Sequence, residues 1–190
     1  MNTLFRAGDG LLLVDVQVDF CPGGALPIPR GDEIVPVLNR WIDAAREANI
    51  PIYASRDWHP LGHPSFESVG GVWPEHCLQD SAGAAFHPRL ALPNETIIVT
   101  KGTRFDKDQY SAFSETGLSR RLDRDGVKRV WVCGLALDVC VRASALDARR
   151  HGFAVALDPI GSRAVEPSRT DAVMDELERA GVAVERTEAA

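Results

Sequence analysis

The sequence has no surplus of basic residues and no long apolar run. Its 190 residues include 21 Lys and Arg against 27 Asp and Glu, a formal net charge of -6. Such a chain lacks the positive field that holds nucleic acid or an anionic membrane surface. The apolar runs at residues 11–16 and 127–141 are too short or too interrupted to span a bilayer. We therefore expect neither a nucleic-acid partner nor a membrane partner.

The sequence also lacks an export signal and a paired-cysteine motif. The first residues, MNTLFRAGDG, contain neither the apolar core nor the cleavage pattern of a signal peptide, so we expect a cytoplasmic protein. The four cysteines are Cys21, Cys77, Cys133 and Cys140, and no two of them form a CxxC pair. This spacing argues against a zinc ribbon or a thioredoxin-like motif, and free thiols are expected where nothing indicates secretion.

What the sequence does contain is a regular alternation of strand-like and helical segments. The length suits one domain, residues 1–190, with a large core. The alternation predicts an α/β fold: a three-layer, doubly wound, mostly parallel sheet of about six strands with helices on both faces. The predicted strands are 11–16, 51–55, 96–100, 129–135 and 153–158, with a short last one at 182–186.

Helical spacing of apolar side chains follows the first strand, within residues 27–49. Asp32 is the predicted N-cap of that helix, and Pro36 falls in its first turn. Further helices are predicted at 138–151 and 167–180, and Gly181 is placed to end the last one. Residues 57–94 show no periodicity, and a loop of that length is usually functional.

Asp57, His59 and His76 form the first candidate site. Asp57 and His59 come just after a predicted strand, and residues two apart on an extended backbone point the same way. One carboxylate and two imidazoles suit a divalent transition metal with positions left open for water or substrate. His63 is a further candidate, either as a fourth ligand or as an outer-shell partner. Cys77, beside His76, is an alternative ligand.

Three other reactive side chains also follow predicted strands. Asp15 loses hydration at the end of a buried strand and is a candidate base, although a turn-forming aspartate fits equally well. Lys101 is placed to anchor an anion or to keep a carboxylate ionised, although a solvated lysine is commoner there. Cys140 lies at the start of a predicted helix, where free N–H groups stabilise a thiolate or an oxyanion; a structural cysteine is the alternative.

Aromatic residues surround these positions in the sequence. Phe20, Trp58, Phe66 and Trp73 all lie close to polar candidate residues. Aromatic side chains are more often part of a core than of a binding site. Their place beside reactive groups nevertheless favours a flat, apolar substrate.

Five segments resemble the isochorismatase-like cysteine hydrolases, and two of them resemble the metal-dependent nicotinamidase branch of that family. The five are LLLVDVQVDFCPGGAL, SRDWHPLGHPSF, WPEHCLQDSAGAAFHPRL, KGTRFDKDQYSAF and GLALDVCVRASALDA, and they cover most of residues 11–148. The first and last indicate only the family. The DWHP and WPEHC blocks point to the nicotinamidase branch.

The resemblance implies a role for each matching position. It implies that Asp15, Lys101 and Cys140 are catalytic, with Cys140 as the nucleophile. It implies that Asp57, His59 and His76 are metal ligands and that His63 matches a ligand of some members. It further implies a cis peptide bond between Leu135 and Ala136, and an oxyanion hole formed by the N–H groups of Ala136 and Cys140.

The substrate pocket is also implied by the resemblance. Its expected residues are Phe20, Trp73, Tyr110, Leu135 and Val139. The sequence departs from the family pattern at Leu137 and Val139, where many nicotinamidases have Thr and an aromatic residue or His. Weaker ring stacking beside Val139 would change the preference among nicotinamide, pyrazinamide and other amides more than the reaction itself.

The expected function follows from that resemblance. It is a metal-dependent nicotinamidase that hydrolyses a small-molecule substrate, nicotinamide, to nicotinate and ammonia through a cysteine thioester. The expected cofactor is one divalent transition metal ion, zinc in preference to iron or manganese. Two alternatives stand beside it: a related amidohydrolase for a carbamoyl or ureido substrate, and a non-catalytic metal-binding or redox-sensing protein. The sequence is compatible with a homo-oligomer.

Overall fold

The central strand of the protein is the apolar run near the N-terminus. In the computed structural model, which describes residues 4–186, this run forms β1 (Asp9–Val14), and every residue of β1 is buried. β2 (Ile52–Asp57) and β4 (Arg129–Leu135) pair with β1 on either side, both in parallel. Burial of both faces explains why this strand is almost continuously apolar rather than alternating.

Four more strands complete the sheet within residues 4–186. They are β3 (Ile97–Lys101), β5 (Ala154–Leu157), β6 (Ser162–Arg163) and β7 (Val182–Val184). The order is β3-β2-β1-β4-β5-β7, with β6 paired to β4, and every pairing is parallel. The predicted α/β fold with a parallel sheet is confirmed. The sheet has seven strands rather than about six, because β6 has only two residues and leaves no pattern in the sequence.

Helices cover both faces of the sheet, as predicted. Leu11 and Leu13 of β1 pack in one core with α1 (Val35–Glu47). Leu12 and Val14 pack in the other core with α2 (Leu118–Arg124), α3 (Arg142–Arg150) and α4 (Thr170–Arg179). Alternate residues of a strand point to opposite faces, so β1 contributes to both cores. None of the helices between residues 4 and 186 has the length and apolar character needed to cross a membrane.

The helix ends agree with prediction at one site and differ at another. Gly181 follows α4 with φ +82°, and its N–H donates to Glu178 O, as expected of a C-terminal glycine. The prediction that Asp32 caps α1 is wrong. Asp32 lies within a 3₁₀ turn (Gly31–Ile34) that leads into α1, and it is the Asp32 backbone carbonyl that accepts a bond from the Val35 N–H. No side chain caps α1.

The strand order places a crevice at the carboxyl edge of the sheet. From β1 the chain passes to β2 and β3 on one side, and β4 and β5 lie on the other side. Ligands of doubly wound sheets bind where the order reverses in this way, here between β1 and β4. Residues 58–96 connect β2 to β3. They contain one 3₁₀ turn (Glu67–Val69) and form isolated β-bridges. One of those bridges, Gln17 with Phe86, ties the loop to the residues that follow β1.

Candidate active site

Asp15 lies at the crevice because the chain turns sharply as β1 ends. Its φ is +48°, a conformation that non-glycine residues seldom adopt. The Asp15 N–H donates to Ser55 O at 3.1 Å, and its carbonyl accepts from the Gln17 N–H at 2.8 Å. The Ser55 hydroxyl donates to Asp15 Oδ1 at 2.7 Å. The carboxylate is fully buried and oriented, which favours the base over the turn-forming alternative.

Lys101, the last residue of β3, is fully buried and is not the solvated lysine of the alternative interpretation. Its Nζ lies 2.8 Å from Asp15 Oδ2, an ion pair, and 2.7 Å from Asp57 Oδ1. It also lies 3.3 Å from Gln109 O and 3.5 Å from Cys140 Sγ. Burial alone would lower the pKa of Lys101, but the two carboxylates outweigh it and raise the pKa well above its usual value. The ammonium therefore stays charged.

Cys140 lies in a π-helical turn (Leu137–Val141) that connects β4 to α3. Its Sγ and one oxygen each of Asp15 and Asp57 lie within 4.8 Å of one another. Burial raises the pKa of the Cys140 thiol well above its usual value, although Lys101 acts in the opposite direction. The resting residue is therefore a thiol, and it needs a base.

Burial also raises the pKa of Asp15, to about 6, against the lowering effect of Lys101. A carboxyl group with this pKa is ionised at neutral pH yet basic enough to take a proton. A buried thiol and a carboxylate of raised pKa thus share one side of the crevice.

Asp57, His59 and His76 converge as predicted. One ligand atom from each lies within 4.8 Å of the others. His59 Nδ1 is 2.8 Å from Gly102 O, and His76 Nδ1 is 2.7 Å from Pro74 O. Because Nδ1–H donates to a carbonyl in each case, Nε2 is left free as a ligand. Burial lowers the pKa of His59 to about 4, so its imidazole is neutral, as a metal ligand must be.

His63 and Cys77 have different surroundings. The His63 ring centroid lies 4.1 Å from that of His59, and its Nδ1 contacts Ser65 Oγ at 2.7 Å. The buried His63 Nε2 has no hydrogen-bond partner among the described residues, so His63 stays a candidate ligand. Cys77 does not belong to the group of ligand atoms within residues 4–186. Burial raises the pKa of its thiol, and its backbone N–H bonds to Asp19 Oδ2.

A cavity connects the two groups of residues. Cys140 and Ala136 line it together with Asp57, His59 and His76, and the Leu135–Ala136 peptide bond is cis. Of the predicted pocket residues it contains four, and its wall includes four more that sequence reasoning missed. The four predicted are Phe20, Trp73, Tyr110 and Val139, and the four missed are Leu26, Ile28, Asp108 and Val165.

Three predicted aromatic or apolar neighbours lie outside the cavity wall. Leu135 is fully buried in the core beside Gly31, because its side chain points into the α1 side of the sheet; its assignment to the pocket is corrected. Phe66 is buried against the rings of His59, His63 and His76. Trp58 stacks under the Arg56 guanidinium, which lies 3.9 Å from its ring centroid.

Gly102 is a site residue that sequence reasoning missed, although it lies in the KGT segment. Its φ is +67°, and a Cβ built there would lie 2.5 Å from His59 Cε1 and 2.9 Å from Asp57 Oδ1. Gly102 thus allows β3 to approach the ligand group while its carbonyl orients His59. A residue without a side chain offers no chemical signal, so only the structure reveals this role.

Comparisons with known proteins agree with this geometry. Residues 9–189 match the isochorismatase domain. Nicotinamidase of Escherichia coli is 38% identical, over 90% of this chain and 91% of that protein. The crystal structure of pyrazinamidase of Pyrococcus horikoshii in complex with zinc has a TM-score of 0.92 and 43% identity, covering 95% of this chain and 99% of that one. PnC1 from L. infantum in complex with nicotinate has a TM-score of 0.87 and 38% identity, covering 94% and 92%.

Proposed function

Since the chain belongs to the isochorismatase domain family, we propose that it is a metal-dependent nicotinamidase, which hydrolyses nicotinamide to nicotinate and ammonia. The observation that carries this proposal is the shared cavity. Cys140 and the group of Asp57, His59 and His76 line one cavity, so a small substrate bound there would contact both the nucleophile and the proposed ligand group.

The residues at one end of the cavity fit a divalent transition metal. We propose Asp57, His59 and His76 as its ligands, with His63 as a fourth candidate whose Nε2 is otherwise without a partner in the described chain. The donor set, two or three imidazoles and one carboxylate, accepts zinc, and we propose zinc as the ion. A metal ion held by these residues would supply a Lewis acid for the pyridine nitrogen, which would orient the substrate.

The chain's own residues carry the chemistry. Asp15 takes the proton from the Cys140 thiol while Lys101, which stays charged, keeps the carboxylate in place. The sulfur attacks the amide carbon, and the proposed oxyanion donors are the N–H groups of Ala136 and Cys140. Asp15 then gives its proton to the departing amine, which leaves as ammonia. It next takes a proton from the water that attacks the thioester and returns it to the sulfur, so that nicotinate and the free thiol are released.

The cavity wall also weighs against some rival substrates. Among the described residues that line it, carboxylates and imidazoles occur but no Lys or Arg. A carbamoyl or ureido substrate that carries its own carboxylate would have only the proposed metal ion as a cationic partner there. The neutral amide of nicotinamide needs none, and Phe20, Trp73 and Tyr110 offer flat apolar contacts. A non-catalytic metal-binding protein would leave Asp15 without a role.

The test is ammonia release from nicotinamide by the purified protein, with and without a chelator. Cys140→Ala should abolish turnover and leave metal content unchanged, whereas His76→Ala should lose metal and raise KM. Cys133→Ala is the matched control, because Cys133 is buried in β4 outside the cavity wall and should not be needed for turnover. Near-normal ammonia release by Cys140→Ala would exclude the thioester scheme.

We further propose that the protein acts as one domain in a reducing compartment, the cytosol. All seven strands of the described residues belong to one sheet. All four cysteines are free, and a thiol nucleophile is preserved best where thiols are kept reduced.

A further inference from the structure

Two polar side chains that follow β1 are bonded to the backbone of the candidate metal site. They are Gln17 and Asp19, which lie two and four residues after the proposed base Asp15. Neither lines the cavity, and neither belongs to the group of ligand atoms within residues 4–186. Their contacts nevertheless lead directly to the ligands.

The Gln17 side chain bonds the Asp57 backbone as a neighbouring strand would. The β1–β2 pairing ends at Val14 with Ser55, two residues before Asp57, so β1 offers no backbone partner there. The buried Gln17 amide provides one instead: its Oε1 accepts from the Asp57 N–H at 2.7 Å, and its Nε2 donates to Asp57 O at 2.7 Å. Nε2 also donates to Ala84 O at 2.8 Å, which ties in the long loop.

Asp19 holds the backbone of Cys77, the residue after His76. Its Oδ2 accepts from the Cys77 N–H at 2.7 Å, and Cys77 directly follows His76. The Cys77 carbonyl in turn accepts from the His59 N–H at 2.9 Å. Cys77 has φ +47°, which is unusual for a residue other than glycine, so its conformation depends on such bonds. There is little room for adjustment, because a Cβ built on Gly83 would lie 2.2 Å from Asp19 Oδ2.

We propose that Gln17 and Asp19 are positioning residues of the metal site, Gln17 for Asp57 and Asp19 for the Cys77 backbone that joins His76 to His59. The inference rests on the proposed metal ligands. It follows that one short segment after β1 places both the base and the ligand group. Outer-shell partners of this kind typically change metal affinity about 10–100-fold when they are removed.

The test is the dissociation constant for Zn²⁺, measured without substrate by competition with a chromophoric chelator. Gln17→Met keeps the side-chain length and loses all three hydrogen bonds. Asp19→Asn keeps the shape but turns one acceptor into a donor. Each should raise the dissociation constant by about tenfold or more. In turnover assays, KM for nicotinamide should rise more than kcat falls, because the nucleophile and the base are unchanged.

Two matched controls separate positioning from general effects. Asn39→Leu removes another amide side chain that bonds backbone groups, Arg89 O and the Ala91 N–H, and Glu75→Gln removes an exposed charge next to His76. Both should bind Zn²⁺ as the wild type does. Zn²⁺ affinity is measured at a temperature well below the Tm of each variant, so a loss of stability alone does not change the result. If Gln17→Met does not fold, Asp19→Asn decides.

Wild-type Zn²⁺ affinity in the folded variants, or an equal loss in the controls, would overturn the proposal. Because the measurement needs no substrate, it is independent of nicotinamide turnover. A protein that binds Zn²⁺ through these ligands but does not hydrolyse nicotinamide would contradict the proposed function and leave this inference intact.

Discussion

A single lysine connects the two halves of the site. Lys101 lies within ion-pair distance of both Asp15 and Asp57, one the proposed base and the other a proposed ligand. Removing one partner of a buried ion pair typically costs about 3–5 kcal/mol, because the remaining charge is left without compensation. Here two carboxylates would lose their shared cation. Lys101 therefore contributes to the stability of the site as well as to the ionisation of the base.

The pKa of Asp15 predicts how activity depends on pH. Burial raises this pKa to about 6, and the base must be ionised to accept the thiol proton. Activity should therefore be retained above that pH and fall as the pH is lowered through it. Metal bound at Asp57 offsets a charge that raises the pKa of Asp15, so the acid limb should lie at or somewhat below this value. The measurement is kcat/KM for nicotinamide across the acid range.

The pH at which activity falls should also depend on Ser55, a neighbour of Asp15. The Ser55 hydroxyl bonds Asp15 Oδ1 and lowers the pKa of the carboxyl group. Ser55→Ala should therefore shift the acid limb to higher pH while metal binding is retained. A profile that stays flat well below pH 5, or a limb that moves to lower pH in Ser55→Ala, would remove Asp15 from the role of base.

Reactive residues could be predicted from the sequence because each lies at or just after a strand end. Asp15 follows β1, Asp57 ends β2 and Lys101 ends β3, and parallel strands bring such ends to one edge. The direction in which an apolar side chain points, into the core or into the pocket, was harder to predict. The family resemblance implies that Leu135 is a pocket residue, yet the pleat of β4 turns its side chain into the core.

Elements were predictable wherever they bury enough apolar residues to show a period. β4 begins and ends where the sequence predicts. β6 is too short for any period, and the π-helical turn at Leu137–Val141 replaces the α-helical start expected for the following helix. No residue type distinguishes a π turn from an α turn, so that detail depends on tertiary packing.

The turn after β3 supports a prediction about Gly102. A methyl group there would meet the His59 ring and Asp57 Oδ1, and the backbone already has φ +67°. Gly102→Ala should therefore weaken Zn²⁺ binding by at least about tenfold, because it displaces the carbonyl and the ligands together. Chelator competition and metal content after dialysis would measure the loss.

Gly126 provides the matched control for that change. It has φ +76° and nothing within 4 Å of a built Cβ, so Gly126→Ala adds the same backbone strain without the collision. Its Zn²⁺ affinity should equal that of the wild type. Similar losses in both variants would show that backbone strain, and not the close approach of β3 to the ligands, is responsible.

At the scale of the whole molecule, the long connection between β2 and β3 is where the sequence reveals least. It predicts a functional loop without periodicity, and the connection does carry His59, His63 and His76. Its order comes from bonds to distant residues, such as the Val18 N–H to Ala85 O and the His87 N–H to Val16 O. Such partners are set by the fold, and no local pattern can reveal them.

Metal binding should stabilise the entire protein, because its proposed ligands join this loop to the sheet. A ligand that binds only the folded state, at a free concentration 100 times its Kd, adds about 2.7 kcal/mol to the free energy of unfolding. For a chain of this size the corresponding rise in Tm is roughly 5–11 °C. The measurement is thermal unfolding of the chelator-treated protein with and without added Zn²⁺.

Two histidine variants make that measurement specific. His76→Ala removes a proposed ligand and should abolish the Zn²⁺-dependent rise in Tm. His87→Ala alters a histidine of the same loop that bonds the Arg89 N–H and lies outside the ligand group, so the rise should persist. An equal rise in all three proteins would show that Zn²⁺ acts elsewhere on the surface. No rise in the wild type would mean that Asp57, His59 and His76 do not bind the ion in the folded state.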